Sequence, residues 1–286
     1  MARTIGTPTP ATQLPPKSTD THMHVYDVTY PSQPGGPPLP ADAPDVSDYR
    51  RVQRWLGLER AVLVQANAYQ LDHSYFLKAL ASLGDQARGV ASISPETTEA
   101  QLSAFHEQGV RGSRIMELPG GAVGMKDALN VNARIAPLDW SMILQFDGSE
   151  MVERRSTLER LQGNYVIDHF GRFLKPVTVD DPSFQALLKL IDRGNCYVKL
   201  AGGYETSRQG PPAYGDVAEL GRALIRHAPE RVIWGSNWPH VSLAPDDTPN
   251  DAQLLDVVAS WIPDEKTRQS IFVDNPARLY GFDTSA

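Results

Sequence analysis

The chain has 286 residues, 41% of them hydrophobic, with a formal net charge of −7 and a pI near 5.5, enough apolar material for one large α/β domain or two small ones. The acidic balance excludes nucleic acid as the default partner, which calls for a basic footprint; with no stretch approaching ~18 consecutive apolar residues, a helical membrane span is excluded as well. Cys196 is the only cysteine, so no intrachain disulfide can form and a cytoplasmic home is expected.

Residues 1–19 are proline-rich and lack the apolar core of a signal peptide, so they are expected to form a mobile tail or an outer strap, with the domain proper spanning residues 20–286. The stretch Asp20-Thr21-His22-Met23-His24-Val25-Tyr26 reads as a first strand. Its period of two turns His22 and His24 to one face and Met23 to the other. Pro34 to Pro38 must be a loop. Val46 to Leu56 reads as a helix, with Tyr49, Val52, Trp55 and Leu56 on one side and Gly57 as its stop. Ala61 to Gln65 follows as a buried strand. A helix from about Asp72 carries Phe76, Leu77, Leu80 and Leu83, and the third strand is Gly89 to Ile93. Leu102 and Phe105 mark the next helix, and Val110 to Met116 the fourth strand. A looser segment around Leu129 to Ile135 precedes a fifth strand, Ser141 to Phe146.

The alternation continues to the end of the chain. Val152, Leu158 and Leu161 are placed on a helix ending at Gly163, before the strand Tyr165 to His169. Phe184, Leu187, Leu188 and Ile191 lie on another helix, and Cys196 to Leu200 is the seventh strand, in which Cys196 is a packing residue. Val217 to Ile225 is helical, Arg231 to Gly235 is the eighth strand, and a helical tail closes near Leu279 and Tyr280. Eight strands alternating with about eight helices predict a single-domain (β/α)8 TIM-like barrel. The near-continuous apolar strands fit a parallel sheet buried on both faces.

In such a barrel the chemistry sits at the C-terminal strand ends and in the loops that follow them. Those ends supply His22 and His24, Gln65 and Asn67, Arg114 and Glu117, and Gln145 and Asp147. The later strands add Asp168, His169 and Arg172, then Lys199, then Asn237 and His240. Each alone has a plain structural role, Lys199 as a snorkelling surface lysine and Gln65 as a satisfied rim amide. Three histidines and two arginines on one face point to a site.

Four segments carry a family resemblance: Thr21-His22-Met23-His24; Val166 through Arg172, which reads Val-Ile-Asp-His-Phe-Gly-Arg; Arg231 through His240; and Asn275 through Tyr280. Together, over residues 20–282, they resemble the amidohydrolase superfamily, and more narrowly its branch containing 2-pyrone-4,6-dicarboxylate lactonase. The resemblance implies a metal-free mechanism with no cofactor. It also implies an aspartate general base after strand eight, where this chain has Asn237, an amide that cannot take a proton at neutral pH. Loss of the base with retention of the carbonyl-activating groups is what a lactone isomerase of this branch needs. Such an enzyme converts the 1,5-lactone of galactaric acid to the 1,4-lactone, because the substrate's own hydroxyl is the nucleophile.

On that reading His22, His24, His169 and Asn237 are the catalytic candidates. Arg114, Arg172, Gln65, Gln145, Tyr204, Arg208 and His240 are the substrate-binding candidates, and the partner is a small sugar-acid lactone. A zinc site would need His22, His24 and His169 with an anionic partner, for which Asn237 is a poor substitute. The alternatives are a metal-independent lactone hydrolase using another base, such as Asp147, and a silent sugar-acid binding protein.

Overall fold

The computed structural model describes residues 5–283; residues 1–4 of the expected N-terminal segment lie outside that range. The eight strands are β1 Thr19–Met23, β2 Arg60–Val64, β3 Ala87–Ala91, β4 Val110–Met116, β5 Ser141–Gln145, β6 Tyr165–Ile167, β7 Cys196–Leu200 and β8 Val232–Trp234. They pair in chain order, all in parallel. A bridge from Met23 to Trp238 brings the chain just after β8 back to β1, so the sheet curls into the (β/α)8 barrel.

Alternation along the strands decides what faces inward. Val62, Val64, Val90, Ile143, Val166, Tyr197 and Ile233 form one buried cluster with Ala277, Leu279 and Tyr280. Those last three belong to a C-terminal helix, Asn275–Tyr280. They fill the barrel end from which the strands start, where Arg88 Nη2 donates to Gly281 O at 3.1 Å. The alternate residues, among them Met23, Leu63, Ile115, Leu144, Val198 and Trp234, pack outward against the surrounding helices in the larger core. By the same period of two, His22, Arg114, Gln145, Asp168 and Lys199 follow the inward set at the other end of the barrel.

Closure between β1 and β8 rests on Asp20. Its Oδ1 accepts from His22 N at 3.0 Å and Ser236 N at 2.9 Å, and its Oδ2 accepts from Ser236 Oγ at 2.6 Å and Tyr49 Oη at 3.1 Å. Burial pushes this carboxyl group's pKa up, and those four donors offset part of the cost. Thr21 Oγ1 donates to Trp234 O at 2.7 Å across the same seam. Gly235 is required here, since a Cβ would stand 2.7 Å from His22 Cβ and 2.9 Å from His22 N.

Several boundaries differ from the sequence expectation. His24, Gln65, Asp168 and His169 lie just past their strands, in the loops. The third strand starts at Ala87, two residues early, because Gly89 is an interior strand residue packed under Phe76 and Leu80 and not a strand start. Val152 is exposed, and Met151 takes the buried position on the helix Met151–Leu158. In the N-terminal segment, Ala11 N and Thr12 N donate to Asp256 at 2.9 and 2.8 Å, and Trp55 Nε1 donates to Pro8 O at 3.0 Å.

Candidate active site

A cavity of about 590 Å³ opens at the C-terminal end of the strands. His24, Asn67, Arg114, Gln145, His169, Arg172, Glu205 and Asn237 supply its polar wall, and Tyr26, Pro37, Leu39, Leu118, Leu174, Val241 and Leu243 much of its apolar rim. Two tight loops aim the polar groups. After β6, His169, Phe170, Gly171 and Arg172 all have positive φ, at 51°, 57°, 95° and 51°. After β8, Asn237 and His240 do so at 61° and 62°. Non-glycine residues held in this left-handed region cost about 1–3 kcal/mol each and gather where function over-determines the backbone.

Under the cavity floor runs a chain of buried polar groups whose proton positions follow from their partners. Val64 O can only accept, so the His24 Nδ1–H donates to it at 2.8 Å. Burial, reinforced by Arg114, lowers the His24 pKa to about 3, so the ring is neutral and its Nε2 is an acceptor. His22 Nε2 lies 3.2 Å away and must donate the proton between them. That leaves His22 Nδ1 to accept from the Lys199 ammonium at 3.0 Å. Burial also lowers His22 well below the usual imidazole range, and lowers Lys199 to about 8, which leaves it cationic at neutral pH.

Asp168 is the counter-charge. Its Oδ1 lies 3.0 Å from His169 Nδ1 and 3.6 Å from Lys199 Nζ, and its Oδ2 lies 3.4 Å from His22 Nδ1. Burial works to raise its pKa, yet His169, Lys199 and His22 together pull it well below the carboxylate range. The carboxylate beside Nδ1 keeps the His169 proton on that nitrogen and turns Nε2 toward the cavity. Burial keeps the ring neutral.

The second polar array stands on the β7 and β8 loops. Asn237 Nδ2 donates to Tyr204 Oη at 2.8 Å and to Glu205 Oε1 at 3.4 Å. Tyr204 Oη is 2.8 Å from His240 Nδ1, and His240 Nε2 is 2.9 Å from Asp251 Oδ1. This array fixes the Asn237 amide with nitrogen toward Tyr204, leaving its oxygen free of that contact. Glu205 also accepts from Ser242 Oγ at 2.7 Å, lies 3.6 Å from His169 Nε2 and pairs with Arg172.

Of the candidates read from sequence, His24, His169, Asn237, Arg114, Arg172 and Gln145 meet at this cavity. His22 does not reach the wall and stands behind His24. Gln145 Oε1 accepts from Arg114 Nη2 at 2.5 Å, and Asn67 Oδ1 accepts from Nη1 at 3.4 Å, so the guanidinium is held flat. Gln65 spends its amide on backbone, donating to Gln70 O and Asp72 O and accepting from Ser92 N. Arg208 is exposed and donates to Leu174 O. Tyr204 and His240 lie outside the wall, behind Asn237. Asp147 caps two backbone amides, Ser149 N and Leu174 N, away from the cavity. Lys199 is not a snorkelling surface residue but fully buried, because position 199 shares the inward face with Tyr197.

Glu205 is the wall residue the sequence reading passed over. Its signal was its place, five residues past the end of β7 in the same loop as Tyr204.

The donor set does not suit a divalent cation. His22, Asp168 and His169 bring ligand atoms within 4.8 Å of one another, but the Lys199 ammonium already contacts two of the three. A metal ion would face that charge at close range in a dry interior. At the end of β8 the amide of Asn237 brings no negative charge to the site.

An amidohydrolase family model matches residues 19–282. A D-galactarolactone isomerase of Agrobacterium fabrum is 41% identical over 282 residues, covering 98% of this chain and 96% of that one. A 2-pyrone-4,6-dicarboxylate hydrolase of Comamonas testosteroni is 31% identical, covering 95% of this chain and 92% of that one. A ligand-free crystal structure from Agrobacterium tumefaciens superimposes with a TM-score of 0.92 at 41% identity, covering 96% of this chain and all of that one.

Proposed function

The chain belongs to the amidohydrolase family, and from that membership we propose that it is a lactone isomerase converting D-galactaro-1,5-lactone to D-galactaro-1,4-lactone. The C4 hydroxyl attacks the C1 carbonyl, a tetrahedral intermediate forms, and the C1–O5 bond breaks, so that one ester replaces another. The observation that carries this reading is the neutral Asn237 on a wall otherwise equipped for carbonyl chemistry. The 41% identity to an isomerase supports it. An amide there accepts or donates a hydrogen bond but does not deprotonate water. A hydroxyl already held on the substrate profits from an effective molarity worth up to about 7–11 kcal/mol, which free water lacks.

The wall's charge fits the substrate. Arg114 and Arg172 against Glu205 leave one net positive charge at the cavity, and the lactone of a dicarboxylic sugar acid carries one free carboxylate. Arg114 and Arg172 hold that carboxylate and the ring oxygens through charge-assisted bonds. The guanidinium donors of this wall stabilise the oxyanion that forms, while the neutral His169 offers its unprotonated Nε2 to a substrate hydroxyl and His24, backed by His22, holds the cavity floor. Among the described residues no helix is long and apolar enough to cross a membrane.

A metal-independent lactone hydrolase is the second reading, favoured by the carboxylate of Glu205 on the cavity wall. An NMR time course on a panel of 1,5-aldarolactones separates the two. The isomerase produces the 1,4-lactone faster than buffer alone, with galactaro-1,5-lactone among the best substrates. Accumulation of ring-opened acid, or no acceleration over spontaneous rearrangement, rejects it.

A further inference from the structure

We infer that Glu205 is the base that takes the proton from the attacking hydroxyl, an assignment that rests on the isomerase reading above. Its side chain is only 8% exposed, yet it lines the cavity and is held there from three sides. Oε1 accepts from Ser242 Oγ and Asn237 Nδ2, while Oε2 faces His169 Nε2 at 3.6 Å and pairs with Arg172. Glu205 is the one carboxylate that reaches this wall among the described residues.

The amide at 237 and the carboxylate at 205 form one arrangement. A carboxylate at 237 would stand against Glu205 Oε1, 3.4 Å from the present amide nitrogen, and two carboxylates that close cannot both ionise. With the neutral donor at 237, the negative charge sits on the β7 loop instead of the β8 loop. A substrate carboxylate that takes over Arg172 frees Oε2 for the hydroxyl proton.

The step balances without a further reactant. The C4 oxygen forms its bond to C1 as its proton passes to Glu205. Collapse of the tetrahedral intermediate breaks the C1–O5 bond, and the departing O5 takes the proton back from Glu205, which regains its starting charge. Glu205 is therefore a catalytic residue, not a support for Arg172.

The test compares wild type with Glu205→Gln and Glu205→Asp, measuring kcat and KM against pH and identifying the product by NMR. Glu205→Gln should lower kcat by ~10²–10⁴-fold, the usual span for one acid–base group, without raising KM, since it removes a competitor for Arg172. The acidic limb of the wild-type kcat profile should disappear in this variant, and Glu205→Asp should recover part of the rate and the limb. Calorimetric binding of galactarate to Glu205→Gln should match wild type within a few-fold, showing an intact site. Retained kcat with its acidic limb and a raised KM, or loss of galactarate binding, overturns the assignment in favour of a purely supporting role. If wild type releases ring-opened acid, the isomerase reading falls. The same comparison still judges Glu205, because an attacking water must also give up a proton.

Discussion

His169 shows how one residue's neighbours decide its role. Asp168 stands beside one ring nitrogen and Glu205 near the other, so the imidazole is oriented and placed between the floor and the cavity. His169→Ala should lower isomerisation by ~10²–10⁴-fold. His22→Ala should cost less than His169→Ala, because His22 acts only through His24; steady-state rates on folded variants check the order, and equal losses would mean the floor is part of the reacting site. Arg172→Lys should harm a dicarboxylate-derived lactone more than a neutral aldonolactone, since lysine lacks the planar pair of donors. Equal losses for the two substrates would show that Arg172 only supports its loop. Asn237→Asp puts back the carboxylate that the family resemblance implies at this position, but sets it against Glu205. One of the two must then hold a proton, so the variant should lose isomerase activity and release little free acid. Efficient hydrolysis by that single variant would contradict the placement of Glu205.

Asp168 makes a residue-level prediction for stability. Its native pKa lies well below the ordinary range, so the unfolded chain binds the proton first as the pH falls. Its contribution is present above about pH 4, the unfolded value, and is lost as the pH drops through the lower folded one. Urea titrations of wild type and Asp168→Asn over an acid series should show a stability gap that narrows below about pH 4. A gap independent of pH would mean that shape, not charge, holds this position.

At the scale of elements, the seam between β1 and β8 is the most exacting. Gly235→Ala forces a methyl group against His22 backbone and Cβ, and overpacking of this kind costs about 1–3 kcal/mol. Urea unfolding should register that loss, and activity should fall with it, because His22 N and O both anchor the seam. Unchanged stability would show that the strands separate freely. The elements themselves were largely legible, since Gly57 stops its helix as read and β4 and β7 have the expected limits. What sequence could not supply was side-chain direction where a strand gives way to a loop. Lys199 reads as a surface residue until the register of β7 turns it inward. Gln65 and His240 read as site residues until their hydrogen bonds prove to be spent on backbone or on a buried carboxylate.

At the scale of the molecule, the barrel brings chemistry from β1, β4, β5, β6 and the β7 and β8 loops to one cavity. The order of those segments was visible in the chain, while the meeting of Glu205 with Asn237 and Arg172 depends on loop geometry that no spacing encodes. The floor is neutralised internally by Lys199 and Asp168, and the wall carries one net positive charge for a monoanionic lactone. The central claim is that the nucleophile belongs to the substrate. It is tested most directly by incubating galactaro-1,5-lactone with the enzyme in oxygen-18 water and following the products by mass spectrometry and NMR. The account predicts 1,4-lactone with no label in its carboxyl or ester oxygens; galactarate carrying oxygen-18 as the first product would contradict it.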